Sequence, residues 1–378
     1  MTQPTQVSIQ VSVIVPALNE GPNLGPLVEQ IDAALGGRSY EVLIVDDNSK
    51  DDTPEVCAGL AGRYPVRLLV RTEPKDGLSG AVLYGMSQAR GDVFVVMDAD
   101  LQHPPSKLPQ LIDLVEKGET DFALGSRYVA GGSTGERWGL MRKINSRVAT
   151  WLARPFAGSV GDPMSGFFAL RRRTYERGRR LTPLGYKIGL ELMCKCRVAG
   201  VREVPIHFAE RTRGQSKLTI REQFRYLEHL SRLYDFCFPR LSPIAKFLIV
   251  TAISWFVAFA VFVLLLKNHW AGPPRTTSIA YLIAVAVTAL FHGRYVRTQR
   301  EFLVRKRPWA DFLFSSLAEW AACSLTAVYL TVRLENPHDL ELFFFPFAVA
   351  LFVRYVLRKE FMLDVRGLRR MPRDDEIV

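Results

Sequence analysis

The sequence predicts an α/β domain, with a mostly parallel sheet flanked by helices, followed by a four-helix transmembrane domain. Three observations support this prediction. Apolar strand patterns alternate with helical patterns over roughly the first 240 residues, four long apolar runs follow from Ile244, and short basic segments separate those runs. A chain of 378 residues also exceeds the size at which one hydrophobic core usually stops growing.

Two predicted strands open the first part, and each runs into polar residues. VSVIVPAL leads through Pro16 and Ala17 to Glu20, and YEVLIVDD ends on Asp46 and Asp47. The segment between them, NLGPLVEQIDAAL, has apolar residues at helical spacing. Two further strands, VRLLVR and DVFVVMDADLQ, are separated by the helical segment GAVLYGMSQAR. Strands that alternate with helices predict a mostly parallel sheet covered on both faces.

Carboxylates follow three of these strands, at the edge where such sheets bind ligands. Acidic residues also cap ordinary turns, but three strands that end in this way favour a site. The strongest segment is VVMDADLQHPP, in which Asp98, Asp100 and Gln102 offer hard oxygen ligands suited to Mg²⁺ or Mn²⁺. His103 stands beside two prolines, and we interpret it as shaping the loop, because nitrogen ligands suit zinc better than Mg²⁺.

Several function classes lose support from the sequence. Neither GxxxxGK[ST] nor GxGxxG occurs, so a P-loop ATPase and a classical dinucleotide enzyme are not indicated. Five cysteines without a CxxC pair indicate neither a disulfide framework nor a structural zinc site. Many of the basic residues behind the net charge of +11 flank the apolar runs and are not gathered with aromatic residues on one soluble face, so we expect a lipid bilayer and no nucleic acid as partner.

The second half of the soluble part contains basic and hydroxyl residues in apolar surroundings. Surface charge is the usual interpretation of such residues, and phosphate binding is the functional one. The candidates for phosphate binding are Arg127, Arg142, Ser146, Arg211, Ser216 and Lys217.

We expect residues 1–218 to form a cytoplasmic domain, 219–243 to form amphipathic interface helices, and 244–378 to form a four-span domain with a basic cytoplasmic tail. Four stretches are predicted to span the membrane: Ile244 to Leu266, Ser278 to about Val296, Phe312 to Val332 and Leu342 to Leu357. In the interface segment, one helical face is predicted to hold Ile220, Phe224, Leu227, Leu230, Tyr234 and Phe238. That face either docks at the membrane interface or packs on the soluble core, and docking is favoured.

Charge distribution predicts the orientation in the membrane. The loop between spans two and three and the tail from Arg354 are rich in Lys and Arg, which places the N-terminal domain and the C-terminus in the cytoplasm. The N-terminus has no signal-peptide pattern, which agrees. Glu319 lies inside the third span, where we expect it to pair with a basic group near a neighbouring helix end rather than to form part of an ion path.

Seven segments in this order resemble family 2 glycosyltransferases of the polyprenyl-phosphate type, the dolichol-phosphate mannose synthase group. They are VPALNE, VDDNSKDDT, MDADLQHPP, GSRYVAGG, RKINS, DPMSGFFALRR and VPIHFAERTRGQSKL, and the resemblance covers about residues 9 to 240. The four-span tail resembles a small GtrA-like membrane domain in its topology. The resemblance implies a GT-A fold and inverting transfer of a hexose, with mannose from GDP-mannose favoured, to a polyprenyl or dolichyl phosphate.

The resemblance also implies roles for individual residues. Pro16, Ala17, Glu20 and Asp47 are expected at the nucleoside, and the Asp98–Ala99–Asp100 segment with Gln102 at a divalent metal, Mn²⁺ or Mg²⁺, on the diphosphate. Arg211 and Lys217 are expected to close over that diphosphate, and Arg127, Arg142 and Ser146 to bind the acceptor phosphate. Asp100 joins these last three as the expected catalytic set. Asp162 and Ser165 are expected to line the sugar pocket.

Alternatives remain open at this point. UDP-glucose is the alternative donor, and a homo-oligomer is allowed by the sequence. A processive polysaccharide synthase would typically carry a QxxRW motif, which is absent, and four spans are few for a translocation channel. A non-catalytic membrane component is disfavoured by the intact acidic segment. The segments SKDDT and DGLSGAV depart from the family pattern, and the departure in DGLSGAV weakens any nucleotide contact by Lys75 or Ser79.

Overall fold

The structure is a computed structural model, and in it the chain divides into two compact units, Met1–Leu233 and Tyr234–Val378. It describes residues 9–134, 140–178, 181–182, 184–185, 187–209, 220–239, 241–269, 272–291, 308–334 and 338–362. Within these ranges, side chains at 140–145, 220–222, 243, 308–311 and 358–362 are not described. The division into units falls inside a helix, later than the predicted end of the first domain at residue 218.

A seven-stranded sheet forms the centre of the first unit, in the order β3-β2-β1-β4-β7-β5-β8. The strands are β1 Val11–Ala17, β2 Tyr40–Asp46, β3 Val66–Val70, β4 Val93–Val96, β5 Phe122–Ser126, β6 Ser133–Thr134, β7 Phe168–Arg171, β8 Val201–Pro205 and β9 His207–Phe208. Strand β7 is antiparallel to both of its neighbours, whereas the other pairs of this sheet are parallel. Strands β6 and β9 form a separate parallel pair.

Helices cover both faces of the sheet. They are α1 Gly21–Leu35, α2 Thr53–Ala61, α3 Gly77–Gln88, α4 Leu108–Glu116, α5 Leu140–Ala157, α6 Arg172–Glu176, α7 Ile188–Lys195 and α8 Ile220–Cys237. Alternate residues of β1 enter opposite cores, Val13 with α1 and α4 and Ile14 with α3. Burial on both faces explains why the strands read as continuous apolar runs. The predicted mostly parallel sheet flanked by helices is confirmed.

The strand register positions the acidic turn. Ala17 at the end of β1 lies opposite Asp46, whereas β4 ends opposite Ile14. The chain after β4 therefore leaves the sheet three residues before β1 does, beside the carboxyl ends of β1 and β2. Residues 97–103 follow β4 at this edge of the sheet, as the pattern of strands ending in carboxylates predicts.

Helix α8 corrects the prediction of a single apolar face. Tyr226, Leu230 and Leu233 are buried against the core, whereas Phe224 and Leu227 are 68% and 46% exposed. The hydroxyl of Tyr226 donates to the carbonyl oxygen of Ala149 on α5, at 2.8 Å. The helix thus has apolar residues on two sides. Packing on α5 and α7, rather than the regular spacing of apolar residues in the sequence, determines which side faces the core.

The second unit contains four helices, α9 Ser242–Lys267, α10 Pro273–Phe291, α11 Pro308–Arg333 and α12 Asp339–Met362. Four segments are long and apolar enough to cross a membrane: Ile244–Lys267, Pro273–Phe291, Phe312–Arg333 and Asp339–Leu357. Four apolar helices were predicted. The second begins five residues earlier than expected, and its predicted end near Val296 lies outside the described residues.

A buried ion pair lies among these four helices. Glu319 on α11 accepts a hydrogen bond from Nε of Arg354 on α12, at 2.9 Å, and another from the hydroxyl of Tyr281 on α10, at 3.2 Å. Glu319 and Arg354 are 0% and 3% exposed. The expected pairing of Glu319 with a basic group is thus observed. Arg354, expected at the start of the basic tail, lies inside the bundle instead, because a buried carboxylate requires a partner.

Glu319→Leu is expected to destabilise the helical unit by about 3 kcal/mol, because it leaves the Arg354 guanidinium buried without its counter-charge. Thermal unfolding of the detergent-solubilised chain measures this loss. The double variant Glu319→Leu/Arg354→Leu is expected to recover most of the stability, since an apolar pair replaces the ion pair. Equal losses in the single and double variants would contradict the pairing argument.

Candidate functional site

The acidic turn after β4 has a strained backbone at its centre. Leu101 has a φ of +62°, a left-handed conformation that non-glycine residues adopt at a cost and that is common at functional sites. The amide of Gln102 donates to Oδ1 of Asp100, at 3.2 Å. The Asp98 side chain is 33% exposed, whereas Asp100 and Gln102 are 4% and 6% exposed. One carboxylate is thus partly exposed, and the other is buried inside the turn.

Imidazole Nδ1 of His103 fixes the start of this turn. It accepts a hydrogen bond from the backbone amide of Asp98, at 3.0 Å, and its ring stacks on Phe167 with centroids 5.2 Å apart. Burial lowers the pKa of His103 to about 4, although the negative charge of Asp100 opposes the shift. The ring is therefore neutral at pH 7, with its proton on Nε2. This geometry supports the interpretation that His103 shapes the loop.

Gln102 connects the turn to the chain that precedes Arg211. Its Nε2 donates to the carbonyl oxygen of Ala209, at 2.8 Å, and the amide of Ala209 donates back to the Gln102 carbonyl oxygen, at 3.1 Å. Because Nε2 points toward Ala209, the side-chain oxygen Oε1 points away from it. Arg211, Ser216 and Lys217 lie outside the described residues, but the segment that leads to them is held against the acidic turn.

Arg127 is held by a bidentate ion pair. Its Nε and Nη2 donate to the two carboxylate oxygens of Asp162, both at 2.7 Å, and its backbone amide donates to Oδ2 as well, at 3.1 Å. Glu203 in turn accepts hydrogen bonds from the amides of Gly161 and Asp162. Burial opposes the charge of Arg127, but the hydrogen bonds to Asp162 outweigh it and raise the pKa of Arg127. Arg127 is therefore a fixed cation.

The Asp162 side chain is buried against Arg127 and does not line an open pocket. It was expected to line the sugar pocket, but it is 0% exposed and both of its oxygens face Arg127. Ser165 is also buried, at 6% exposed, and its hydroxyl accepts a hydrogen bond from the amide of Phe167, at 3.2 Å.

One aromatic ring contacts both the acidic turn and Arg127. The ring of Phe208 on β9 meets the His103 ring edge to face, with centroids 5.4 Å apart. The Arg127 guanidinium lies over the same ring, 5.2 Å from its centroid. The predicted metal turn and the predicted phosphate-binding cation are therefore neighbours in the fold, and both contact Phe208, which the sequence motifs did not single out.

Ser146 is joined to the residue that follows Arg127. Its hydroxyl lies 2.8 Å from that of Tyr128, and either oxygen can be the donor. Position 142 lies one helical turn before Ser146 on α5, but the Arg142 side chain is outside the described part of the chain. The structure thus brings Ser146 toward Arg127 through Tyr128, which stands beside Arg127 in GSRYVAGG.

The predicted nucleoside residues lie at the ends of β1 and β2. The amide of Asp47 donates to the carbonyl oxygen of Ala17, at 3.0 Å, which joins the two strand ends directly after Pro16. Glu20 follows, and its Oε2 accepts a hydrogen bond from the side-chain Nδ2 of Asn23, at 2.7 Å. Pro16, Ala17, Glu20 and Asp47 are therefore brought to one edge of the sheet, next to Asp98 and Ala99.

Arg71 at this edge was missed by the sequence analysis. Its Nη1 donates to Oδ1 of Asp47, at 2.8 Å, and to the carbonyl oxygen of Gly77, at 3.2 Å. Burial raises the pKa of Asp47, and the charge of Arg71 opposes that shift. Arg71 therefore ties the end of β2 to the DGLSG segment. Arg71 directly follows the strand VRLLV, and position at a strand end is the same sequence signal that identified the carboxylates of the acidic turn.

The oxygen atoms of the acidic turn suit a hard divalent cation. Asp98 and Asp100 supply carboxylates and Gln102 an amide oxygen, whereas Nδ1 of His103 is already engaged by the Asp98 amide. Among the described residues, no group of three or more His, Cys, Asp or Glu side chains is arranged to hold a metal ion. The candidate donor set from the sequence, two carboxylates and one amide, would leave coordination positions for oxygens of a bound phosphate.

Comparisons with known proteins show which family the chain resembles. Residues 12–179 match the family described as Glycosyl transferase family 2. The chain is 48% identical over 228 residues to a dolichol-phosphate mannosyltransferase of Pyrococcus furiosus, covering 60% of this chain and 64% of that protein, just under two thirds of its length. It is 43% identical over 249 residues to a dolichol-phosphate mannosyltransferase of Mycosarcoma maydis, covering 63% of this chain and 83% of that protein.

A solved structure is similar at lower identity. It is the crystal structure of glucosyl-3-phosphoglycerate synthase from Mycobacterium tuberculosis in complex with Mn²⁺, UDP and glucosyl-3-phosphoglycerate. The TM-score is 0.46 at 20% identity, over 63% of this chain and 86% of that chain.

Wild-type protein is expected to lose stability relative to His103→Asn as the pH falls from 7.5 to 5. His103 titrates near pH 6.5 in the unfolded chain but near 4 in the folded one, so unfolding takes up a proton in this interval and the folded state loses about 2 kcal/mol. Asn keeps an acceptor close to the position of Nδ1 and does not titrate. Unfolding curves of both proteins at the two pH values measure the difference, and identical pH shifts would contradict it.

Proposed function

The chain belongs to glycosyl transferase family 2, and on this premise we propose that it is a polyprenyl-phosphate hexosyltransferase. It transfers a hexose from a nucleoside diphosphate sugar to a polyprenyl or dolichyl phosphate, with inversion at the anomeric carbon. The observation that carries the proposal is that His103 of the acidic turn and the fixed cation Arg127 both contact the ring of Phe208. Donor diphosphate and acceptor phosphate then bind as neighbours.

GDP-mannose is the favoured donor, because relatives that are 48% and 43% identical to this chain are named dolichol-phosphate mannosyltransferases. UDP-glucose is the alternative. The strand ends with Pro16, Ala17, Glu20 and Asp47 provide the surface for the nucleoside.

Asp98, Asp100 and Gln102 would hold a divalent metal, Mn²⁺ or Mg²⁺, since they offer only hard oxygen donors. The bound metal would offset the negative charge that builds on the departing nucleoside diphosphate. The Asp98 amide is fixed by His103 and the Gln102 side chain by Ala209, so both ends of the turn are oriented before ligands arrive. Arg211 and Lys217, which follow Ala209 in the chain, are assigned to the same diphosphate.

The acceptor needs little activation. A phosphate monoester with a second pKa of about 6 is largely dianionic at pH 7, so it requires no strong general base. Its oxygen forms the new bond to the anomeric carbon while the bond to the diphosphate breaks and the electron pair leaves with the nucleoside diphosphate. Arg127, Arg142 and Ser146 orient that oxygen, and catalysis rests on positioning and charge stabilisation.

The four apolar helices anchor the enzyme in the bilayer that contains its lipid acceptor. The positive-inside rule favours a cytoplasmic catalytic unit and a cytoplasmic C-terminus. We assign anchoring rather than product movement to these helices, because the ionisable pair described among them, Glu319 and Arg354, is closed on itself by an ion pair.

The first experiment is transfer of radiolabelled sugar into polyprenyl phosphate in membranes that contain the full chain. GDP-mannose, UDP-glucose and UDP-N-acetylglucosamine are compared, each with Mn²⁺ and with EDTA. Metal-dependent labelling of the lipid from GDP-mannose is expected. Labelling from UDP-glucose alone would replace the donor assignment, and no labelling from any donor would overturn the proposed function.

Asp100→Asn is expected to reduce transfer by at least about 100-fold, because the turn loses a charged metal ligand while its shape is kept. Mn²⁺ binding measured by electron paramagnetic resonance should weaken in parallel. The exposed Glu119→Gln is the matched control and should leave both quantities unchanged. Full transfer by Asp100→Asn would remove the metal assignment.

Arg142→Ala is expected to raise the KM for polyprenyl phosphate about 10-fold or more, because a charged hydrogen-bond donor to the phosphate is lost. The KM for the nucleotide-sugar should stay within about 2-fold, since no contact to it is removed. Initial rates with each substrate varied in turn separate the two constants. A rise confined to the nucleotide-sugar KM would contradict the acceptor assignment.

A further inference from the structure

Tyr128 contacts two residues that are assigned to the acceptor phosphate and that stand on different elements. Its ring lies beside the Arg127 guanidinium, with Cζ 5.3 Å from the ring centroid. Its hydroxyl lies 2.8 Å from the hydroxyl of Ser146 on α5, 18 positions further along the chain. One side chain thus spans the distance between Arg127, at the end of β5, and Ser146.

We propose that Tyr128 is a further binding residue for the acceptor phosphate, with its hydroxyl and that of Ser146 acting as one donor pair. The ligand class is a phosphate monoester. This inference rests on the proposed function and extends its acceptor site by a residue that neither the sequence motifs nor the comparisons assign.

Proton counting supports a donor pair. Two hydroxyl groups carry two protons, and the hydrogen bond between them uses one. Whichever oxygen donates within the pair, the proton of the other hydroxyl remains to be donated elsewhere. A dianionic phosphate monoester has only acceptor oxygens, so it accepts this proton in either arrangement. Hydrogen bonds to a charged acceptor are also stronger than those between neutral groups.

The pair is accessible to a ligand. Tyr128 is 44% exposed, and Ser146 is partly exposed. An exposed hydrogen bond between two neutral hydroxyls adds little to stability, because water replaces it readily. A purely structural tie between β5 and α5 would gain more from burial, as the bond from Tyr226 to Ala149 does.

Arg127 sets the orientation of the Tyr128 ring. The guanidinium cannot turn freely, since Asp162 holds it at Nε and Nη2. Tyr128 packs on this fixed cation, and its own amide donates to the Ser126 hydroxyl, at 3.4 Å. The hydroxyl is therefore directed toward Ser146 by contacts made at the other end of the same residue. A cation and a donor pair then lie side by side, an arrangement that suits phosphate.

Tyr128→Phe tests the inference, because it removes the hydroxyl and keeps the ring on Arg127. We expect the KM for farnesyl phosphate to rise about 3- to 10-fold, while the KM for the nucleotide-sugar stays within about 2-fold. Ser146→Ala should give a similar rise. The acceptor KM of the double variant should exceed the higher of the two single-variant values by no more than about 2-fold, because each single change already breaks the pair. Tyr84→Phe, on a tyrosine that is 39% exposed, is the matched control.

Competition by inorganic phosphate separates the phosphate from the lipid chain as the group that is bound. Tyr128→Phe should weaken inhibition by inorganic phosphate as it weakens use of farnesyl phosphate. Unchanged inhibition, an unchanged acceptor KM, or additive losses in the double variant would overturn the donor pair. A lowered unfolding temperature with both KM values raised would show a structural role and overturn it as well. Absence of any transfer by the wild-type chain would instead overturn the proposed function.

Discussion

The ion pair between Arg127 and Asp162 is the interaction on which the rest of the site depends. Burial of the guanidinium would be unfavourable alone, and the carboxylate of Asp162 compensates it through two hydrogen bonds at 2.7 Å. Glu203 on β8 holds the backbone at Asp162 in turn. The fixed cation then contacts the rings of both Phe208 and Tyr128. A change at Asp162 would thus reach both predicted substrate phosphates.

The same physical rule governs the two units in different surroundings. Glu319 and Arg354 pair among apolar helices, as Arg127 and Asp162 pair beside the sheet. A buried charge without a partner is costly in either place, whereas a pair with good geometry restricts how its elements pack. In the first unit the Arg127 side chain stays 11% exposed, whereas in the second unit both members of the pair are buried inside the bundle.

The acidic turn has a strained backbone that neighbouring residues stabilise. Leu101 in a left-handed conformation turns the chain sharply between Asp100 and Gln102. The neutral ring of His103 and the two hydrogen bonds between Gln102 and Ala209 stabilise this geometry from both ends. The supports are buried, whereas the Asp98 side chain is 33% exposed. The positions of the predicted metal ligands are thus set by residues that are not ligands.

The sequence by itself determined the order and type of the main elements, the four apolar helices and the acidic turn at a strand end. Such features depend on periodicity and on neighbours within a few residues, which the sequence displays directly. Only the tertiary structure decided which side of α8 is buried, that Asp162 faces Arg127, that Tyr128 reaches Ser146 and that Arg354 lies inside the bundle. Each of these pairs residues from separate elements, and such pairing is settled when the helices and strands pack together.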